Sequence, residues 1–201
     1  MPIHAAGRYK GRDKISVSDY FVSSYTPTLR ALLEARARPR PSVHKLLPVI
    51  QPNAGPRYSF LPKTKDELCE IYKAVPANMI LTPGDDNKMD LEGVYATPQN
   101  VIAKLNETSI LHLACHGVQD TDNPLRSGFI LRDGERLTVE DLMNQQIPAA
   151  SIAFLSACYT ASSDIERPDE VINLANGMLF AGVPSVSATM WLVCKIGRAH
   201  V

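Results

Sequence analysis

Apolar residues in this chain gather in short continuous runs, separated by polar stretches whose apolar positions recur at helical spacing. Ile110–Ala114 (ILHLA), Ile152–Ala157 (IAFLSA) and Pro184–Leu192 barely alternate, the pattern of strands covered on both faces. Lys45–Ile50 (KLLPVI) reads as a fourth strand, weakened by Pro48. Val17–Ser24 (VSDYFVSS) has strand composition, and Met79–Leu81 and Phe129–Leu131 read as short strands. Thr26-Pro27 opens a helix with Thr26 as N-cap and Leu29, Leu32 and Leu33 as its apolar face, ending before Pro39. Thr64–Tyr72 has Thr64 and Glu67 at capping-box spacing, with Leu68, Ile71 and Tyr72 as its stripe and Cys69 as an ordinary helix residue. Thr97–Leu105 carries Pro at N1, Thr138–Asn144 is capped by threonine, and Asp169–Phe180 closes at Gly182. Gln51–Leu61 and Pro83–Glu92 read as loops. Strands alternating with helices predict an α/β fold with a parallel sheet covered on both faces.

Composition narrows the function classes. The chain has 201 residues, 45% of them hydrophobic and 21% charged, which fits a globular domain and excludes a disordered tail. Lys+Arg and Asp+Glu are both 21, and a zero balance argues against nucleic acid as the partner, because gripping phosphates needs an excess of cations. Residues 1–50 hold nine of the basic and three of the acidic side chains, a surface difference without functional weight. No apolar run reaches the ~18 residues of a transmembrane helix, and the N-terminus has no signal-peptide core. No membrane partner is expected. The four cysteines, Cys69, Cys115, Cys158 and Cys194, form no CxxC pair, so neither a zinc ribbon nor a thioredoxin motif is present; without a signal peptide, a cytoplasmic, reducing setting with free thiols is expected. No repeat, low-complexity segment or glycine-rich phosphate loop occurs.

In open α/β sheets, ligands bind beyond the carboxyl ends of the strands. Two βα units place His116 and Cys158 there. An imidazole beside a thiol leaves a thiolate nucleophile, and the backbone N–H groups of Gly117 and Cys158 could stabilise an oxyanion. The plainer reading of each residue is a packed cysteine and a structural histidine. A zinc site from His112, Cys115, His116 and Cys158 is disfavoured, because positions 112 and 115 of one strand face opposite ways. No metal and no cofactor is expected.

The motifs HLACHG (112–117), LSACYTA (155–161), Asp169-Glu170, LANGMLFAGVPSV (174–186) and TMWLV (189–193) together resemble the CHAT domain. This is a caspase-like cysteine peptidase family of clan CD, often fused to TPR repeats. PIHAAG (2–7) and SSYTPTLRALL (23–33) resemble its upstream part, especially in fungal members, so the resemblance covers almost the whole chain. It implies a caspase-like three-layer α/β sandwich with a mostly parallel sheet. It also implies a His116–Cys158 dyad needing no third member, and a protein or peptide substrate. In the clan, the residue two before the nucleophile lines the pocket for the residue on the acyl side of the scissile bond, P1. Caspases have Gln there and metacaspases Asp; Ser156 is small and neutral, so no demand for Arg or Lys at P1 is expected. Asp169 and Glu170 match the family's acidic pair, which orders a loop, contacts substrate in the pocket, or caps the following helix.

The chain departs from the family after Val193, where the usual Asp and two further helices do not follow. Lys195–Val201 (KIGRAHV) resembles a translated sequencing adapter, so the expectation is a partial CHAT domain over 1–193, cut at both ends, with a non-native tail over 194–201. TPR or sensor domains would lie elsewhere in the full-length protein. The expected function is a cysteine endopeptidase in signalling or regulated cell death. The alternatives are a non-catalytic caspase-like scaffold, or a flavodoxin-like binding domain, which the missing phosphate loop disfavours.

Overall fold

The computed structural model of the chain describes residues 6–10, 15–24, 26, 28–39, 41–84, 88–120, 122–145, 147, 149–156, 158–159 and 171–188, with 158–159 and 171–173 described by backbone alone. The chain divides into two units, residues 1–33 and 34–201.

In the first unit, β1 (Gly7–Arg8) pairs antiparallel with β2 (Ile15–Ser16). The strand expected over Val17–Ser24 does not form. Val17–Asp19 is a 3₁₀ turn, because the Asp19 carboxylate accepts from the Ser16 backbone N–H (2.7 Å) and hydroxyl (3.1 Å). A short polar side chain that bonds nearby backbone competes with strand pairing, and here it outweighs β propensity. Helix α1 (Leu29–Ala37) crosses the boundary between the units. Its cap is Thr28, whose Oγ1 accepts from the Ala31 N–H at 3.0 Å, rather than Thr26. Leu29 and Leu33 of the expected apolar face are exposed.

The second unit begins with β3 (Leu46–Ile50), whose five residues are all buried despite Pro48. In a parallel strand, hydrogen-bonding groups alternate between the two sides. The Gln51 N–H donates to Ala114 (2.9 Å) on one side, and the Leu46 carbonyl accepts from Leu81 (2.7 Å) on the other. Pro48 shares the side of Leu46, away from the sheet, where its missing N–H breaks no ladder bond. Met79–Leu81 is a turn (Ala77–Met79) followed by a single bridge from Ile80 to Leu46, not a full strand.

Next come α2 (Lys63–Ala74), α3 (Pro98–Leu105, capped by Thr97), β4 (Ile110–Ala114), β5 (His116–Val118), β6 (Gly128–Ile130) and β7 (Arg136–Thr138). Then follow α4 (Val139–Met143), β8 (Ile152–Leu155), β9 (Cys158–Tyr159), α5 (Val171–Phe180) and β10 (Val186–Ala188). A positive φ of 97° at Gly182 ends α5 in the way the sequence predicts. The parallel sheet has the order β10-β8-β4-β3, and a second sheet has the order β7-β6-β5-β9.

Helices cover both faces of the parallel sheet, as the sequence predicts. Leu68 of α2 packs on Ile50 and Ala114. On the opposite face, Val101, Leu142 and Met178, from α3, α4 and α5, share one core with Leu47, Leu111 and Leu113. The second unit is thus a three-layer α/β fold with a mostly parallel sheet at its centre. No helix among the described residues is long and apolar enough to cross a membrane.

Candidate active site

Strand β4 breaks at Cys115 and resumes as β5, and β8 resumes as β9. The pairing survives both breaks: Ile110 is opposite Ile152 and His116 is opposite Cys158, the same offset of 42 residues. Residues 110–113 therefore pair with 152–155, and 116–117 with 158–159, in one parallel register. His112, Ala114 and His116 share one face with Phe154 and Ser156, and Cys115 takes the other. The two motifs that the sequence singles out thus come together, with Cys158 the register partner of His116 and Tyr159 that of Gly117. Cys158 is described here by its backbone alone.

His116 is fully buried, and its Nε2 lies 2.7 Å from the backbone carbonyl of Ser59. A carbonyl only accepts, so Nε2 carries a proton in this contact, and a neutral ring then keeps its acceptor lone pair at Nδ1. The Tyr58 ring packs beside the imidazole, with centroids 5.5 Å apart and planes tilted by 32°. The loop that presents Ser59 is closed at its base by the Leu61 N–H on Pro52 (2.8 Å) and tightened inside by Tyr58 on Gly55 (3.1 Å). A positive φ of 101° at Gly55 makes that turn possible.

The same face carries a second polar group. Glu67 of α2 reaches the sheet with both carboxylate oxygens. Oε1 is 3.2 Å from Nε2 of His112, and Oε2 accepts from the Ser156 hydroxyl at 3.2 Å. The His112 contact has ion-pair length, but the ring N–H is poorly aligned and makes no well-formed hydrogen bond. Burial pushes the Glu67 carboxyl up, yet the close approach and charge of His112, with the Ser156 hydroxyl, outweigh it and hold the carboxyl below its ordinary value. Sequence reading puts Glu67 in a capping box with Thr64. Instead the helix begins one residue earlier, after Pro62; Thr64 is buried, and its hydroxyl donates to the Leu61 carbonyl at 2.8 Å.

Cys115 faces the apolar core among Leu111 and Leu113 and is fully buried; burial alone pushes its thiol far up, which makes it a poor nucleophile. His112 and Cys115 lie on opposite faces, as strand alternation requires. Among the described residues, no three His, Cys, Asp or Glu side chains gather as a metal site would need. Ser156 is exposed at the end of β8, its N–H donating to Leu113 (2.8 Å). Asp169 and Glu170, expected in the substrate pocket or at a helix cap, lie outside the described residues, as do 189–201 with the adapter-like tail.

Sequence reasoning missed Ser59, Tyr58 and Glu67. A backbone carbonyl leaves no signature in a sequence, so Ser59 was unreadable. Glu67 had a signal: Pro62, two residues before Thr64, starts the helix early and leaves the supposed cap inside it.

The family model of the CHAT domain matches residues 1–199, nearly the whole chain. No curated protein matches it.

Proposed function

The chain belongs to the CHAT domain family, and from that premise we propose that it is a cysteine endopeptidase with Cys158 as nucleophile and His116 as its base and acid. One observation carries the reading: the register opposes His116 to Cys158, while a protein carbonyl holds the imidazole at Nε2. That leaves Nδ1 as the ring atom able to take the thiol proton. An orienting acceptor behind the base is the arrangement nucleophilic sites use.

In the first step, His116 takes the Cys158 proton, and the sulfur adds to the carbonyl carbon of a peptide bond. The C–N bond then breaks as the imidazolium returns the proton to the leaving amine. In the second step, His116 takes a proton from water, and the resulting hydroxide adds to the thioester carbon. The C–S bond breaks, releasing the carboxylic acid and regenerating the thiol. Backbone N–H groups at Gly117 and Cys158 are the oxyanion donors in this reading, and Ser156, Asp169 and Glu170 its pocket residues. The family's frequent fusion to TPR repeats fits a peptidase released by a sensor domain in a signalling or cell-death pathway in the cytoplasm.

The test is incubation of the protein with a peptide library, followed by identification of new termini. Cleavage lost in both Cys158→Ala and His116→Ala supports the reading. Absence of cleavage, with a folded protein, favours the caspase-like scaffold.

A further inference from the structure

Among the described residues, the Glu67 carboxylate pairs with no lysine or arginine. The lysines of α2 have carboxylates of their own: Lys63 pairs with Asp66 (3.7 Å), Lys65 with Glu92 (2.5 Å) and Lys73 with Glu70 (2.7 Å). Among the described residues, the cationic partner of Glu67 is His112, which balances it only when protonated. With a neutral imidazole, a half-buried carboxylate keeps its whole negative charge. It is also reachable, for the Glu67 side chain is 34% exposed. Its Oε2 accepts from the exposed Ser156, two residues before Cys158 on the same register. Phe154, two residues further back on that face, is 41% exposed and offers an apolar wall for an aliphatic stem.

We infer that Glu67 reads charge in the substrate pocket, and that the residue accepted on the acyl side of the scissile bond is lysine or arginine. The inference rests on the peptidase reading of His116 and Cys158. Sequence alone predicts no such preference, because position 156 is a neutral serine. The charge is delivered instead from α2 through the hydroxyl of Ser156. An ammonium or guanidinium entering beside Ser156 completes the half-balanced carboxylate, and its methylenes lie along Phe154. A neutral or acidic P1 residue would leave the carboxylate uncompensated or repelled.

The test uses the full chain and four peptidyl acyloxymethyl ketones identical except for P1 Lys, Arg, Leu or Asp. The readout is the rate of adduct formation at Cys158 by mass spectrometry. The wild type should react with the Lys and Arg reagents about 10- to 100-fold faster than with Leu, and slowest with Asp. Glu67→Gln keeps the hydrogen-bonding shape and should erase the difference, while Glu67→Asp should restore part of it. A carboxylate that only braced α2 against the sheet would alter the melting temperature of Glu67→Gln but leave the P1 ratio unchanged, and that result overturns the inference. Equal wild-type rates for all four reagents also overturn it, independently of any variant, while the peptidase reading stands. No adduct at Cys158 with any reagent removes the peptidase reading, and the inference with it.

Discussion

The strand run from Ile110 to Val118 presents two unlike faces. One carries Leu111, Leu113 and Cys115 into a closed apolar core under α3, α4 and α5. The other carries His112, Ala114 and His116 towards α2 and the loop before it, where each imidazole meets an oxygen: Glu67 Oε1 at 3.2 Å and the Ser59 carbonyl at 2.7 Å. Burial is similar on the two faces, but its consequence differs. Where no partner is offered, burial silences a titratable group, as at Cys115. Where a partner is offered, burial aims the group, as at His116. The cysteine and the histidine are neighbours in sequence, and only the strand's alternation separates an inert residue from a candidate catalytic one.

The comparison breaks most visibly on the polar face. His116→Ala should slow the reaction of Cys158 with a peptide electrophile by about a thousandfold or more, as removal of a catalytic base does. Melting curves of the same variant separate that loss from unfolding. On the apolar face, Leu113→Ala empties a completely buried site. It should cost about 2–5 kcal/mol of stability, seen as a lower urea midpoint at unchanged slope.

Cys115→Ser sharpens the contrast. It places a hydroxyl in the apolar core and should cost about 1–3 kcal/mol, with the labelling rate at Cys158 unchanged in the folded protein. The smallest effect concerns pH. The Glu67 carboxyl is held below its ordinary value of 4.5 in the folded chain. Its contribution to stability is therefore complete above 4.5 and is lost as pH falls through the lower folded value. The melting-temperature gap between wild type and Glu67→Gln should be present at neutral pH and close progressively in acid. Partial exposure to solvent keeps that gap small.

How much of this was legible in the sequence depends on the kind of interaction. The buried strands of the second unit and the capped helices α3 and α4 were readable, because apolar runs and Thr caps act locally. The opposition of positions 116 and 158 was expected from strand ends alone, and the constant register accounts for it physically. Val17–Ser24 failed because one Asp19 side chain outbid strand propensity through a local hydrogen bond. The Thr64–Glu67 box failed because the same spacing serves equally well for a carboxylate that faces the sheet. Ser59 was beyond reach, since what matters is its main-chain oxygen, brought 57 positions along the chain to His116 by tertiary folding.

The central claim is that strand alternation leaves Cys115 inert in the apolar core, while Cys158, the register partner of His116, is the proposed nucleophile. The direct measurement is site-resolved labelling of every cysteine by a peptide-based thiol electrophile, in wild type and in His116→Ala. The account predicts fast modification at Cys158 that collapses in His116→Ala, with Cys115 unmodified in both. Equal modification of all cysteines, indifferent to His116, would contradict it and leave a caspase-like scaffold.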